Sequence, residues 1–158
     1  MSHGRRFAVL FSLAAAAQLA SFPLRAETEE KTVDGRPVVH LDKLTLPADV
    51  ADARRLEQHL RVTLKKAARH ANWGAGRDNR IEYRFEVTEL RVVRDGDILR
   101  VHCAATGRLP GGERAKSELS FGGDPNARDK LVRDLLDMVA RGVVTRLAEL
   151  ERKRRGLR

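Results

Sequence analysis

Three runs of alternating apolar and polar residues decide the fold: IEYRFEV at 81–87, LRVHCAAT at 99–106 and AKSELSF at 115–121. Alternation with a period of two is the pattern of a β-strand that buries one face and exposes the other. An Asp-Gly pair at 95–96 separates the first run from the second, and Pro-Gly-Gly at 110–112 separates the second from the third. Both clusters are typical of tight turns. The stretch therefore predicts three antiparallel strands in a row.

A further strand is predicted upstream, and two strands carry a break in their alternation. The apolar residues of 38–46 alternate except at Asp42-Lys43, which indicates a bulge or a bend at that point. The alternation of the next strand changes phase near Thr88-Glu89, which indicates a second bulge.

Two segments have the apolar spacing of helices packed on one side. The first is expected to begin at Asp49 or Asp52, either of which can cap it, and to end at the glycine-containing segment 72–76. The second is expected over 125–152, with Asp124 as its cap. Its apolar stripe comprises Leu131, Leu135, Leu136, Val139, Val143, Leu147 and Leu150.

The order strand, helix, three strands, helix predicts an α+β fold, a two-layer sandwich with β-α-β-β-β-α topology. The sheet would have four strands, mostly antiparallel, with both helices on one face. Because the first helix connects the first strand to the second, the first strand is expected to lie parallel to one of the other three. The uncovered face of the sheet would carry Glu82, Arg84, Glu86, Arg100, His102, Lys116 and Glu118.

The N-terminal 26 residues have the three parts of a secretory signal. Two arginines at 5–6 precede an apolar run at 7–20, and Ala26 supplies a small residue for cleavage. A cut after Ala20 and an uncleaved anchor helix are the alternatives. The apolar run is shorter than the roughly 20 residues that cross a bilayer. No cysteine lies near the cut, so we expect a periplasmic or secreted protein that is not a lipoprotein.

The rest of the chain divides into a flexible lead-in at 27–37, one domain at 38–152 and a basic tail at 153–158. The chain has 158 residues, 31 basic and 22 acidic side chains and a net charge of +9. Removal of the signal takes away three arginines and no acid, which leaves a net charge of +6. This charge suits contact with an anionic surface, or it is the basic bias of a solvated surface.

No motif of a known catalytic site is present in the sequence. Cys103 is the single cysteine, so no internal disulfide is possible, and its position on the apolar side of a strand predicts a buried, inert thiol. His102 is expected on the opposite face. The histidines lack metal-ligand spacing, so we expect no metal, no cofactor and no enzyme. The few aromatic residues and the signal also argue against nucleic acid. Trp73 either closes the end of the core or is an exposed contact residue.

The order of four elements resembles that of small bacterial envelope accessory domains, of the LptE-like and TolB N-terminal-like families. These elements are a helix at 54–71, the strands IEYRFEVTEL at 81–90 and ILRVHCAATGRL at 98–109, and a helix at 128–150. The resemblance implies a noncatalytic domain that docks on a periplasmic partner or on a lipid. The chain lacks the lipidated cysteine of LptE-like proteins.

We therefore expect a noncatalytic binding or scaffold domain of the bacterial cell envelope that docks on a protein partner. Its contacts would be the outer sheet face, an open strand edge or the basic end of the second helix. The alternative is a binder of an anionic lipid, glycolipid, glycan or small anion through the basic residues of the sheet face, Arg84, Arg100 and Lys116. The basic end is also explained without a ligand, because cations stabilise a helix C-terminus. The candidate contact residues are Arg84, Arg100, Lys116, Arg152, Lys153, Arg154 and Arg155.

Overall fold

The computed structural model describes residues 35–76 and 80–157. The signal, the possible cuts and most of the lead-in lie outside these residues. The elements are β1 (Val38–Thr45), α1 (Ala53–His70), β2 (Arg80–Asp95), β3 (Ile98–Arg108), β4 (Arg114–Gly123), a 3₁₀ turn (Pro125–Ala127) and α2 (Arg128–Arg154). This is the predicted β-α-β-β-β-α order.

The four strands form one open mixed sheet in the order β1-β2-β3-β4. β1 is parallel to β2, as the helical crossover between them requires, and β2, β3 and β4 are antiparallel neighbours. The β2–β3 turn contains Gly96 at φ +61°, a left-handed conformation that glycine adopts without steric cost. The predicted meander is confirmed, and the parallel neighbour of the first strand is β2.

Both predicted bulges are present. The pairing of β1 with β2 shifts between Leu41 and Lys43, and the pairing of β2 with β3 shifts between Val87 and Glu89. The extra residue in β2 is Thr88, whose hydroxyl donates a hydrogen bond of 3.1 Å to the Ala104 carbonyl. After each bulge the strand returns to alternation, so its apolar residues stay on the helix side of the sheet.

Both helices pack on the same face of the sheet and share one core with it. The largest fully buried side chains come from α1, β2 and α2 together, and they include Tyr83, Phe85, Leu60, Leu64, Leu135, Leu136 and Leu147. Between the helices, His59 Nε2 lies 2.7 Å from Asp137 Oδ1, and the Thr63 hydroxyl donates to the same oxygen at 2.7 Å. A polar contact therefore fixes the pairing of α1 and α2 beside the apolar core.

The two helix starts differ from each other. Asp124 caps as predicted, since its side chain accepts a hydrogen bond of 2.8 Å from the Asn126 backbone N–H, but a 3₁₀ turn precedes α2. Asp52 precedes α1, yet its side chain makes no cap hydrogen bond because its backbone is left-handed, with φ +57°. The prediction of a side-chain cap at Asp52 is wrong. A carboxylate in this backbone conformation does not meet the first-turn amides.

Trp73 closes one end of the core. It is buried, its Nε1 donates to the Ala68 carbonyl at 2.9 Å, and its ring centre lies 6.2 Å from that of Tyr83. Tyr83 is itself buried, and burial raises the pKa of its phenol. The first of the two interpretations of Trp73 is therefore correct.

Within the described part of the chain, neither α1 nor α2 is long and apolar enough to cross a membrane.

Gly142 lies within α2 and approaches β4 closely. A Cβ at this position would lie 3.3 Å from the Ser117 hydroxyl.

Candidate functional site

The predicted contact residues of the sheet all lie on its outer face, which no described segment covers. Each has an acidic partner: Arg84 Nε lies 2.7 Å from Asp42 Oδ2, Arg100 Nε lies 3.1 Å from Asp95 Oδ2, and Lys116 Nζ lies 2.9 Å from Glu118 Oε2. All three pairs are solvent-exposed, so each contributes little to stability.

These three residues do not form one cluster. Arg84 lies opposite Arg108, whereas Arg100 lies opposite Val93 towards the turn that joins β2 to β3. Lys116 lies opposite Thr106. The sequence predicted the correct face for them but could not predict their neighbours on adjacent strands.

The predicted basic end of α2 is arranged around a buried carboxylate, Glu151, which is 1% exposed. Arg154 Nη2 lies 2.8 Å from Glu151 Oε1, and Arg155 Nε lies 2.6 Å from the same oxygen. Burial alone would raise the pKa of Glu151, but the hydrogen bonds and charges of the two arginines outweigh it and hold that pKa below its usual range. Two of the four predicted basic residues therefore stabilise the fold. Lys153 is exposed.

Sequence reasoning missed Glu151. The signal was its spacing, because it follows Leu147 by four residues and so continues the buried side of the helix. The neighbouring segment contributes another acid, since Glu113 Oε1 lies 3.7 Å from Arg154 Nε. This cluster joins the end of α2 to the turn between β3 and β4.

The chain after α2 folds back onto the helix end. Gly156 has φ +68°, its N–H donates to the Lys153 carbonyl at 3.0 Å, and the Leu157 N–H donates to the Arg152 carbonyl at 2.9 Å. These two bonds form a Schellman cap. Leu157 packs at Gly74, where an added Cβ would lie 2.6 Å from its Cδ1. The helix continues two residues past the expected domain end at 152, and the backbone carbonyls of Arg152 and Lys153 are used by the cap.

A cavity of about 240 Å³ lies where the first turns of α1 and α2 meet. Three arginines surround Asp129 in its lining: Arg55 lies 3.6 Å and Arg128 lies 3.7 Å from the Asp129 carboxylate, and Arg133 Nε donates to the Asp129 backbone carbonyl at 3.1 Å. Its apolar wall comprises Val50, Leu56, Leu90, Val92 and Val132. Asp49, Asp52 and Asp129 balance Arg55, Arg128 and Arg133 in the lining, so the charge of the cavity favours neither an anion nor a cation.

Cys103 is the buried thiol that the sequence predicted. It is fully buried, and burial with the nearby Glu89 charge raises its pKa to about 12, so it stays protonated at neutral pH. His102 lies on the other face, with Nδ1 2.8 Å from the Ser120 hydroxyl. Within residues 35–76 and 80–157, no three metal-binding side chains come together as a site.

The two edges of the sheet differ in how open they are. β1 is eight residues long, contains a bulge and is flanked by Pro37 and Pro47, features that disfavour pairing with another strand. β4 is ten residues long, has no proline, and keeps an unbroken register with β3. Of its side chains towards the helices, Ala115 is buried, whereas Ser117, Leu119 and Phe121 are only half-buried.

No protein-family model matches the chain, and no curated protein matches it. Several solved structures are similar to it. A minor lipoprotein of Acinetobacter baumannii is 19% identical with a TM-score of 0.34, over 75% of this chain and 96% of the other. Rare lipoprotein B of Shewanella oneidensis is 14% identical with a TM-score of 0.42, over 73% and 98%. A lipoprotein of Neisseria meningitidis is 16% identical with a TM-score of 0.30, over 72% and 99%.

At these identities the likeness concerns the fold. These similar chains are bacterial lipoproteins, and they bear on the expected resemblance to envelope accessory domains no further than that. No motif distinguishes the LptE-like from the TolB-like family here.

The expected localisation is contradicted by the same finding. The sequence predicted a periplasmic or secreted protein that is not a lipoprotein, but the similar solved chains are lipoproteins. The prediction relied only on residues around the expected cut, which lie outside the described part of the chain. The exclusion of a lipoprotein is therefore wrong.

Proposed function

We propose that this chain is a noncatalytic docking domain of the bacterial cell envelope, and that it binds a protein partner by strand addition at the outer edge of β4. In this mode an extended segment of the partner pairs with the free backbone groups of an edge strand. The observation that supports the proposal most directly is the regular register of β4 over all ten of its residues.

The inner side of β4 favours the same partner. Leu119 and Phe121 are half-buried, so α2 covers them only in part. An added strand would place its own apolar side chains beside these two residues and remove them from water. Burial of apolar area at about 25 cal/mol per Å² would then add to the backbone hydrogen bonds.

A noncatalytic role fits the placement of the reactive groups. The Cys103 thiol is buried on the helix side, away from His102. His59 and Thr63 both point to Asp137 rather than to each other. The Ser120 hydroxyl does lie 2.8 Å from His102 Nδ1, but this pair lies on the open outer face of the sheet, away from the cavity between the two helices.

Site-specific photo-crosslinking in the source bacterium tests the docking edge. A photoreactive residue is placed at Ser120 in β4, and control proteins carry it at Lys43 in β1 or at Val62, an exposed position on α1. We expect one protein partner to be captured from Ser120 and not from the two control positions. Mass spectrometry then identifies the cross-linked segment of the partner.

Hydrogen exchange with the purified partner provides the second measurement. We expect the outward-pointing amides within 116–122, which belong to every second residue, to become protected on binding, because strand addition gives them hydrogen-bond acceptors. Equal capture from Lys43 or Val62, or unchanged exchange in β4, would show that docking takes place elsewhere. High salt should leave the complex intact, since backbone pairing is insensitive to screening.

A further inference from the structure

The outer edge of β4 carries a charge pattern that is complementary to itself. Lys116 and Glu118 are exposed on the outer face, on either side of Ser117, which is half-buried on the helix side. Lys116 Nζ lies 2.9 Å from Glu118 Oε2, and both side chains are more than half exposed. A second β4 lying antiparallel to the first, with Ser117 opposite Ser117, places each Lys116 opposite a Glu118. The four charges then alternate in sign, and opposite charges directly across a strand pair are stabilising.

The other registers near the middle of β4 lack this match. A slip by one residue brings the helix side of one copy against the outer side of the other. With Lys116 at the centre, two lysines face each other, and with Glu118 at the centre, two glutamates do. With Leu119 at the centre, no charged residues of β4 face each other. The charges of β4 therefore favour the register centred at Ser117.

The helix side of the edge fits the same centre. Gly142 of α2 is exposed and lies above Ser117, since a Cβ on this glycine would lie 3.3 Å from the Ser117 hydroxyl. α2 also packs on Gly107 of β3, so its axis runs above β3 and β4. With strands about 4.8 Å apart, the α2 helices of two paired copies are about 10 Å apart, which is close to the distance between packed helices. A glycine at this crossing leaves room for the second helix.

Apolar side chains border the edge on the same side. Met138 lies four residues before Gly142 on one side of α2, and it is 38% exposed. Leu119 and Phe121 of β4 are only half-buried. A second copy would remove part of this apolar surface from water, in addition to pairing the backbone groups of the edge.

We propose that the partner at the β4 edge is a second copy of this chain. The two β4 strands pair antiparallel about Ser117 and join the two four-stranded sheets into one, with the helices of both copies on the same side. This inference rests on the docking edge proposed above and names its partner.

Sedimentation equilibrium of the purified protein measures dimer formation, and charge-reversal variants test the register. Lys116→Glu brings two glutamates opposite each other at both sites of the dimer, so its dimer affinity should fall at least about tenfold. Glu118→Lys brings two lysines together at both sites and should weaken the dimer similarly. A mixture of the two variants should form a heterodimer within about threefold of the original affinity, because each glutamate then faces a lysine. Neither variant keeps the ion pair within its own strand, so this recovery comes from contacts between copies.

The matched control is Arg84→Glu, which reverses one charge on the same outer face but two strands away from the edge. We expect this control to dimerise within about twofold of the original protein at matched salt. Circular dichroism should show an intact fold for all three variants, since each substituted side chain is exposed. An equal loss in Arg84→Glu and Lys116→Glu would show a general effect of net charge and would overturn the inference.

The photo-crosslink from Ser120 identifies the partner independently. In the register centred at Ser117, Ser120 faces Arg114 of the second copy, so the captured segment should be this chain around Arg114. A protein that stays monomeric at its highest soluble concentration, and is captured from Ser120 by a different protein, would refute the second copy as partner and leave docking at β4 standing. Absence of any capture from Ser120 would refute the docking edge itself. Dimers that neither weaken in the single variants nor recover in the mixture would overturn the proposed pairing.

Discussion

The helix-covered face of the sheet and its outer face show two different uses of the same strands. Towards the helices, Tyr83, Phe85 and Val101 are each at most 1% exposed and belong to one continuous core. On the other face, Arg84 and Arg108 lie opposite each other in solvent. The inner face determines stability, because its residues exclude water and touch both helices. The outer face is free to carry charges that the fold does not need, and four predictions test this difference.

The largest effect is expected from a charge on the inner side. Leu135 in α2 is fully buried, so Leu135→Asp places a carboxylate without a partner in the core. We expect the free energy of unfolding to fall by about 4 kcal/mol or more, so that the chain does not fold cooperatively. Thermal unfolding followed by circular dichroism measures this.

Met138 supplies the control on the same helix. It is 38% exposed, so Met138→Asp leaves the new carboxylate in water. This variant should melt within a few degrees of the original protein. A cooperative melt for Leu135→Asp close to that of Met138→Asp would contradict the assignment of the inner face.

The next effect tests the close fit between β3 and α2. A Cβ on Gly107 would lie 2.5 Å from Val143 Cγ1 and 2.6 Å from Leu147 Cδ1, so Gly107→Ala forces the helix away from the strand. We expect the free energy of unfolding, measured by urea denaturation, to fall by about 2–3 kcal/mol.

Gly142→Ala is the matched substitution. Its Cβ would meet only the rotatable Ser117 hydroxyl, at 3.3 Å, and alanine favours the helix by up to about 1 kcal/mol. It should therefore cause no loss of stability. If both alanine variants were equally stable, the tight contact at Gly107 would be refuted.

A smaller effect is expected at the buried carboxylate. Glu151→Gln removes the charge that Arg154 and Arg155 contact, but Arg154 remains about half exposed and keeps water, so we expect a loss of about 2 kcal/mol at neutral pH. Glu149→Gln disrupts only the surface pair with Arg146, so it should lower stability much less than Glu151→Gln does.

The stability that the Glu151 carboxylate contributes should depend on pH. The pKa of Glu151 is lowered in the folded protein, so the folded state is stabilised above the ordinary carboxyl pKa, and this stabilisation is lost as pH falls through the lowered value. The difference between the original protein and Glu151→Gln should shrink on acidification. A difference that stayed constant from neutral to acidic pH would show that packing, not charge, is responsible.

The smallest effect is expected on the outer face, and it has the opposite sign. Arg108→Gln removes repulsion from both Arg84 and Arg114, so stability should rise by about 0.5 kcal/mol at low salt. The gain should disappear at high salt, where exposed charges are screened. Arg100→Gln loses a partner, Asp95, and should give no gain. A destabilised Arg108→Gln would show that the fold depends on this arginine.

The strands, both bulges and the β2–β3 turn could be predicted from the sequence, because each depends on residues close together in the chain. Alternation locates the break at Asp42 and that at Thr88 without knowledge of any partner strand. The alignment of Lys43, Arg84, Arg108 and Arg114 across the outer face could not be predicted, since it requires the register of three strand pairs, two of which shift at a bulge. The cap predicted at Asp52 is absent because an acid before a helix caps it only if the backbone of that acid is extended.

The two bulges also determine where the chain tolerates the loss of a residue. Deletion of Thr88 would join Val87 to Glu89 and leave each later side chain on its present face, and deletion of Asp42 would do the same in β1. Deletion of Arg84, in regular pairing, would turn Phe85 and Val87 outward and expose the core. Among related sequences, single-residue gaps in β1 and β2 should therefore be confined to these two positions.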